Sequence, residues 1–386
     1  MTAPDDWKAQ NSCMTTASVN SVDGAEALGG HGAHSEAENS AWRAQLAPYK
    51  KASWKSSSIQ VVNTLLPFVG LWALMVVAMP ISYWLTLALA IPTAFFFIRL
   101  FILQHDCGHG SFFPSRVANN VFGAMLGVVT LFPYGYWRRT HAIHHATNGN
   151  LDDREFGDIR TLTVREYEAL SPFGRLLYRL YRHPLVLFGV GPAYQFIVKH
   201  RFPFDIPLSW KREWRSVLLT NVAITAVFGS LIVALGWKTV LFVHLPVVMI
   251  AGSMGVWLFY VQHQFEDTYW EHENAWDYYR AGAHGSSFYD LPKLLHWLTG
   301  NIGYHHIHHL SSQIPNYRLA EVFESVPEMQ RVTRLTLGQS LRCARLRLWD
   351  EDKRTMVSFK DLAQQPRAVK APAEAAAPAV EPELAA

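Results

Sequence analysis

The sequence has few cysteines and few charged residues. Its three cysteines, Cys13, Cys107 and Cys343, form no Cys-x-x-Cys pair, so neither a disulfide framework nor a thiolate zinc site is predicted. Charged residues are only 17% of the chain and the net charge is +3, which gives no indication of a nucleic-acid partner. By contrast, 50% of the residues are hydrophobic. Because they are concentrated in a few long segments, the composition indicates a membrane protein.

Both ends of the chain lack apolar runs. Residues 1–40 are small and polar, with no apolar core of a secretory signal, so we expect a disordered tail rather than a signal peptide. Residues 346–386 are predicted to be a C-terminal extension, disordered from about residue 368, where Ala, Pro and Glu dominate. Residues 41–345 are predicted to form one membrane domain.

The membrane domain begins with a long uncharged run. No charged residue occurs between Lys55 and Arg99, a stretch of 43 residues, which is enough for two helices of about 20 residues each. The segment 79–82 (Met-Pro-Ile-Ser) is the predicted turn. A second pair of spans lies after Arg215, with Lys238-Thr239 as its predicted turn. The four predicted spans are about 58–79, 82–103, 216–237 and 240–261.

Basic residues indicate the orientation of these spans. Lysines precede the first pair, and Lys211, Arg212 and Arg215 precede the second, whereas the two turns together carry one lysine. By the positive-inside rule, both termini and the segment between the hairpins are expected on the cytoplasmic side of the inner membrane. Two shorter apolar stretches, 117–133 and 184–198, are predicted to be re-entrant or interfacial.

Histidine is abundant where cysteine is scarce. The chain has 18 histidines, and three short motifs concentrate them: HDCGH (105–109), HAIHH (141–145) and HHIHH (305–309). Positions i, i+3 and i+4 share one face of a helix, so each motif can present its imidazoles together. One further histidine, His263, follows the last predicted span.

A metal site explains these motifs better than isolated histidines do. Clustered imidazoles would repel one another if protonated and would need many partners if neutral and buried, whereas neutral imidazole binds iron, copper, zinc and nickel well. With two spans before the first motif and two between the second and the third, all motifs and His263 are expected on one membrane face. Nine imidazoles are too many for one ion and suit two. A catalytic zinc ion commonly needs only three protein ligands, so dioxygen activation by two metals is favoured.

The three motifs resemble the histidine boxes of membrane fatty-acid desaturases. The flanking segments HAIHHATNGNLDDREFGDIRTL (141–162) and GNIGYHHIHHLSSQIPNYRL (300–319) resemble the bacterial acyl-lipid Δ12/ω6 branch. The acyl-CoA Δ9 branch typically has four residues between the histidines of its first box, whereas this chain has three. The similarity extends over roughly residues 40–345.

The resemblance implies a fold, a cofactor and a set of ligands. The fold is all-α and integral to the membrane, with four transmembrane helices in two hairpins and a cytoplasmic helical cap that holds a di-metal site. The cofactor is a pair of iron ions, with O₂ as co-substrate and a membrane lipid acyl chain as substrate. The metal ligands that it implies are His105, His109, His141, His144, His145, His263, His305, His308 and His309. No His-Pro-Gly-Gly haem signature occurs, so a separate electron donor is expected, ferredoxin-type in preference to cytochrome b5.

Several neighbouring residues are left with two interpretations. His306 falls outside the H-x-x-H-H spacing and is either structural or a contact of the ligands. Ligating imidazoles usually donate their other N–H to a carboxylate or carbonyl, and six acids lie close to the motifs or to His263: Asp106, Asp152, Asp153, Asp158, Glu266 and Asp267. At least one is expected to contact a ligand. Cys107 is predicted to be a packing residue, and His284 and His296 ordinary polar residues. Trp84, Trp257 and the run 95–97 either line an acyl tunnel or simply face lipid.

The resemblance therefore implies a fatty-acyl desaturase that introduces a cis double bond, at the Δ12/ω6 position of an oleoyl chain. One alternative is a hydroxylase of the same superfamily, acting on alkanes, carotenoids or fatty acyls, because both reactions begin with the same hydrogen abstraction. A zinc or nickel transporter is a second alternative. It would need polar ligands near the middle of the bilayer, whereas the histidines here lie at the ends of spans.

Overall fold

The computed structural model describes residues 36–154 and 156–364. The predicted disordered segments lie largely outside these ranges. One correction concerns residues 36–40, which were predicted to belong to the N-terminal tail but form the start of helix α1 (Glu36–Leu46). The helix is anchored further along, where Trp42 and Leu46 are buried in an apolar cluster, and this packing is not visible in the local composition.

The first hairpin consists of α2 (Trp54–Ala78) and α3 (Tyr83–His109). The hydroxyl of Ser53 caps α2, and that of Ser82 caps α3, each accepting a backbone N–H of the first turn. The predicted turn at 79–82 is thus confirmed. Helix α3 continues six residues beyond the predicted end of its span at 103 and carries the first histidine motif as its last turns.

A bent pair of helices follows, α4 (Arg116–Val129) and α5 (Tyr134–Thr147), with an angle of 105° between them. By length and composition they could count as a fifth span besides four long apolar helices. However, the pair starts just after His109 and its second helix brings the chain back beside that residue. The ring centroids of His141 and His109 are 5.0 Å apart. The pair therefore does not cross as one span, in agreement with the re-entrant prediction for 117–133.

The next segment contains short elements that pack beside the spans. Strand β1 (Leu162–Thr163) leads into α6 (Val164–Ala169) and the amphipathic α7 (Pro172–Tyr181). Two π-helical turns then flank α8 (Gly191–Tyr194), making a short apolar helix over Val186–Lys199. Its Phe196 packs edge-on against Phe132 at the bend between α4 and α5.

The second hairpin consists of α9 (Lys211–Leu235) and α10 (Trp237–His263). The predicted turn at Lys238-Thr239 is wrong, because both residues lie inside α10. The chain reverses at Gly236, which has a φ of +81°. Glycine adopts this backbone conformation without steric strain. Helices α3 and α10 pack together through Phe97, Leu100, Val243 and Val247, whereas many apolar side chains of α2 and α9, such as Leu66 and Val222, face outward. That exposure is expected of lipid-facing helices.

The remaining chain covers the ends of the spans. It contains α11 (Tyr278–His284), α12 (Lys293–Leu298), α13 (His305–Leu310), α14 (Leu319–Ser325), α15 (Leu337–Cys343) and α16 (Phe359–Gln364). It also contains β2 (Phe288–Asp290), β3 (Arg334–Thr336), β4 (Leu348–Asp350) and β5 (Thr355–Val357).

The cap contains small sheets that the all-α prediction did not include. Strand β2 pairs in parallel with β3, and β4 pairs in parallel with β1 and antiparallel with β5. Strands of two or three residues are too short to show an alternating pattern, so the sequence carried no signal for them. Because β4 and β5 pair with each other and β4 with β1, residues 346–364 of the predicted C-terminal extension are folded onto the cap.

Candidate metal centre

The three histidine motifs meet His263 at one end of the helical bundle. His105 and His109 lie in the last turns of α3, and His263 is the last residue of α10. The second motif lies on α5 and the third forms most of α13. The two long helices therefore deliver histidines from the membrane side, and the cap closes over them.

The nine histidines form two groups. The five-histidine group consists of His105, His109, His141, His145 and His308. The four-histidine group consists of His144, His263, His305 and His309. Within each group, one ring nitrogen of every member lies within 4.8 Å of the others. Each group could therefore hold one metal ion.

The H-x-x-H-H motifs are divided between the groups by helical geometry. His141 and His145, at i and i+4, point to the five-histidine group, and His144 points to the four-histidine group. In α13 the roles are reversed, because His305 and His309 join the four-histidine group and His308 joins the other. Successive helical residues are separated by about 100°, so His144 and His145 cannot point the same way. The prediction that all three histidines of a motif share one face is corrected here: they serve two adjacent centres.

The ring nitrogens converge as metal ligands do. The Nε2 atoms of His305 and His263 are 2.9 Å apart, and those of His308 and His145 are 3.0 Å apart. Two buried Nε2 atoms, of His109 and His144, have no hydrogen-bond partner among the described residues. Buried polar atoms normally have partners, and nitrogens of several imidazoles directed at one point fit a metal ion that takes their lone pairs.

The opposite ring nitrogens are held by the protein. Nδ1 of His105 lies 3.1 Å from Oδ1 of Asp106, and Nδ1 of His144 lies 2.6 Å from Oδ1 of Asp158. Nδ1 of His263 donates to the carbonyl of Gly285 at 3.0 Å. Such contacts fix the tautomer in which Nδ1 carries the proton and Nε2 is free to bind a metal.

The charge state of the cap histidines favours ligation. Burial holds the pKa of His305, His308 and His309 well below the usual value, and neighbouring imidazoles lower each of these pKa values further. These rings are therefore neutral at physiological pH. A neutral imidazole is the form that binds a metal, and binding does not first require release of a proton.

Other residues noted in the sequence have separate positions. Asp152 contacts His272 at 2.7 Å rather than a ligand, Asp153 is half-buried, and Glu266 and Asp267 are exposed. His306 points away from both groups, with Nε2 2.9 Å from the carbonyl of Met329. His296 is buried and accepts the backbone N–H of Leu291. His284 is exposed at the end of α11, and Cys107 is buried in the apolar core.

The aromatic candidates lie in different surroundings, and Phe97 of the run 95–97 is buried in the apolar core. Trp84 is 81% exposed on the outer surface of α3, as a lipid-facing residue would be. Trp257 is half-buried and packs against Phe188. The aromatic residues closest to the histidines were not predicted: Trp137 stacks on His141 at 4.5 Å, and Phe259 contacts His144 at 5.1 Å. Trp137 lies one helical turn before His141, so the helical period could have indicated it.

Comparison with known proteins agrees with this geometry. A family profile described as fatty acid desaturase matches residues 82–338. A fatty acid desaturase of Bacillus subtilis is 48% identical over 322 residues, covering 83% of this chain and 91% of the relative. The sn-1 oleoyl-lipid 12-desaturase of Anabaena variabilis is 29% identical over 287 residues, covering 72% and 77%. The sn-1 acyl-lipid omega-3 desaturase (ferredoxin) of Synechocystis is 30% identical over 240 residues, covering 60% and 64%. The chain, with its four apolar helices and its nine convergent histidines, belongs to the fatty acid desaturase family.

Proposed function

We propose that this membrane desaturase uses two iron ions, O₂ and two electrons to introduce a cis double bond at the Δ12/ω6 position of an oleoyl chain. The observation that carries the proposal is the pair of adjacent histidine groups at the end of the bundle. Nine imidazole nitrogens suit two ferrous ions. When bound, the irons would supply the O₂ chemistry needed to remove hydrogen from an unactivated C–H bond, with the two electrons coming from the separate donor.

The protein's own residues hold and shield this chemistry. Asp106, Asp158 and the Gly285 carbonyl keep the protons of three rings on Nδ1. His144 and the third motif are almost completely buried, which excludes bulk water from the ligands. Trp137 and Phe259 pack directly on ligand rings and restrict their rotation. Together these contacts pre-organise the ligands before any metal binds.

The substrate is proposed to come from the membrane. Helices α3 and α10 end at the histidines, so an acyl chain lying along the bundle needs no passage through water to reach them. The Δ12 position is supported by the resemblance of the flanking segments and by the name of the Anabaena relative, an oleoyl-lipid 12-desaturase.

The donor and the orientation are also proposals. The Synechocystis relative is named as ferredoxin-dependent, which supports a ferredoxin-type electron donor for this chain. Basic residues lie just before α2 and in the first turns of α9, and both helices begin at the histidine end. By the positive-inside rule this end is proposed to face the cytoplasm, where a soluble donor can reach it.

The decisive test is product analysis. The full chain is expressed in a host that makes saturated and monounsaturated acyl chains, and the double bonds of the fatty-acid methyl esters are located by mass spectrometry after derivatisation. The expected product is linoleate, absent from cells that express the His144→Ala variant. A double bond at another position would overturn the Δ12 assignment, and a hydroxylated product without a diene would overturn desaturation.

Metal analysis is the companion test. The purified protein is expected to bind two irons per chain, one for each histidine group. His144→Ala should bind less iron, whereas His272→Ala, a surface histidine, should bind as much as the wild type. Full activity with a single metal ion per chain would contradict the di-iron proposal.

A further inference from the structure

Arg182 is a buried arginine with an unusual set of partners. It follows α7 and its side chain has no exposed surface. None of the described carboxylates pairs with it; instead, its guanidinium donates to five neutral oxygens. These are the carbonyl of Arg160 (3.1 Å), the hydroxyl of Thr161 (3.2 Å), the hydroxyl of Tyr260 (3.2 Å), the side-chain oxygen of Gln264 (2.8 Å) and the carbonyl of Leu346 (3.3 Å). Burying a charge without a countercharge is costly, so this position requires an explanation.

Four of the five partners of Arg182 belong to two segments next to the four-histidine group, one that carries Asp158 and one that carries His263. Arg160 and Thr161 directly follow the loop of Asp158, whose carboxylate holds His144. Gln264 directly follows His263, and Tyr260 lies one turn before it on α10. The rings of His144 and His263 are 4.9 Å apart within the same group. The hydroxyl of Thr161 also donates a hydrogen bond to the side-chain oxygen of Gln264, at 3.0 Å. The two segments are therefore in direct contact as well as joined through Arg182.

The five-histidine group has a different support. Asp106, which holds His105, accepts hydrogen bonds from Asn316, and Asn316 is bonded to Gln60 of α2. In the described structure, no hydrogen bond of Arg182 reaches Asp106, Asn316 or Gln60. The two groups are therefore supported by two separate polar networks.

We propose that Arg182 is a positioning residue for the four-histidine group. Its loss weakens iron binding at the four-histidine group and leaves iron binding at the five-histidine group unchanged. The inference rests on the proposed function, because it requires that the groups hold metal. The two terminal nitrogens of the planar guanidinium make all of these bonds, Nη1 to residues 160 and 161 and Nη2 to Tyr260, Gln264 and Leu346, while Nε has no partner among the described residues. A planar fork of this kind can bind to both segments simultaneously, which the point charge of a lysine cannot. By tying the Asp158 loop to the end of α10, Arg182 fixes the distance between His144 and His263.

Arg347 provides a matched control. It is also buried, and it also donates to the Tyr260 hydroxyl (3.1 Å) and the Leu346 carbonyl (3.0 Å). It does not bond to the loop at residues 160–161 or to Gln264 in the described structure. Removing Arg347 therefore disturbs a buried arginine at the same place in the fold without cutting the link between the two supports.

The experiment measures iron retention rather than activity. Full-length wild type, Arg182→Gln and Arg347→Met are purified in detergent, loaded with ⁵⁷Fe(II) without oxygen and dialysed against increasing chelator. Bound iron is counted, and Mössbauer spectra separate the two iron environments. Arg182→Gln should release one of its two irons at a chelator concentration about tenfold lower than the wild type, as mutation of outer partners of metal ligands typically does. The second iron, and both irons of Arg347→Met, should be retained as in the wild type.

Two milder variants cover the case in which Arg182→Gln does not fold. Thr161→Val and Gln264→Leu each remove one partner of the guanidinium. Each should weaken the binding of the same single iron. Loss of both irons together, or unchanged retention in every folded variant, would overturn the inference. If the wild type itself does not bind two irons, the proposed function fails instead, and the two failures are thus distinguishable.

Discussion

Asp106 and Asn316 are joined across 210 positions of the chain. Oδ2 of Asp106 accepts both the backbone N–H and the side-chain amide of Asn316, at 2.7 and 2.8 Å, while Oδ1 contacts His105. One carboxylate thus ties the first histidine motif to the segment that follows the third. All three residues are buried.

Asp106→Asn should weaken the five-histidine group selectively. An amide in this position cannot accept from Asn316 and also from the Nδ1 proton of His105 without presenting its own N–H to one of them. We expect iron affinity at that group to fall about 10- to 100-fold, measured by chelator competition. Asp152→Asn is the control, because Asp152 contacts the surface residue His272. Equal loss of iron in both variants would contradict the assigned role of Asp106.

Gly157→Ala should distort the four-histidine group. Gly157 has a φ of +80°, and a Cβ there would lie 2.9 Å from the Cβ of His144. Gly110→Ala is the matched control, since Gly110 has a φ of +71° but open space around it. Both variants should lose about 1–2 kcal/mol from backbone strain, measured by thermal unfolding in detergent. Only Gly157→Ala should also lose iron, and retention of both irons by this variant would argue against close packing of the loop on His144.

His306→Ala should lower stability without loss of iron, because His306 is a structural histidine and not a metal ligand. Nε2 of His306 contacts the carbonyl of Met329 and is buried. Removing the ring leaves that carbonyl unpaired, which should lower the free energy of unfolding by about 1–3 kcal/mol while both irons are retained. His308→Ala, two positions away, should lose iron. Iron content and thermal unfolding are measured for both variants. Loss of iron from a folded His306→Ala protein would show that His306 is a ligand.

Stability should depend on pH through His272. A hydrogen bond to Asp152, with Glu351 as a second acid, raises the pKa of His272 above its usual value. A raised pKa in the folded state stabilises the protein fully below the unfolded value of about 6.5 and less as pH rises through the folded pKa. The melting temperature of the wild type should therefore decrease as pH rises just above 6.5. In His272→Gln this decrease should be smaller. An identical pH profile for both proteins would show that the contact contributes nothing measurable.

The spans and the motifs could be predicted because their signals are local. A helix that crosses a membrane needs about 20 apolar residues in a row, and the turn at residues 79–82 contains its own proline. The turn of the second hairpin was misplaced by two residues because Lys238 is the only charge there, while Gly236 forms the actual turn through its backbone conformation. The short strands, and α1 through Trp42 and Leu46, depend on contacts with distant segments, and the strands are too short to carry a periodic signal.

The sequence by itself determined four spans, three histidine motifs and the family, because hydropathy and short spacings are properties of neighbouring residues. Only the tertiary structure decided how each H-x-x-H-H motif is shared between two groups, with His145 in one and His144 in the other. It also decided which acids hold the rings and that Arg182 links the Asp158 loop to α10. The physical reason is that the direction of a side chain follows from its own helix, whereas the partner that it meets depends on how distant helices pack.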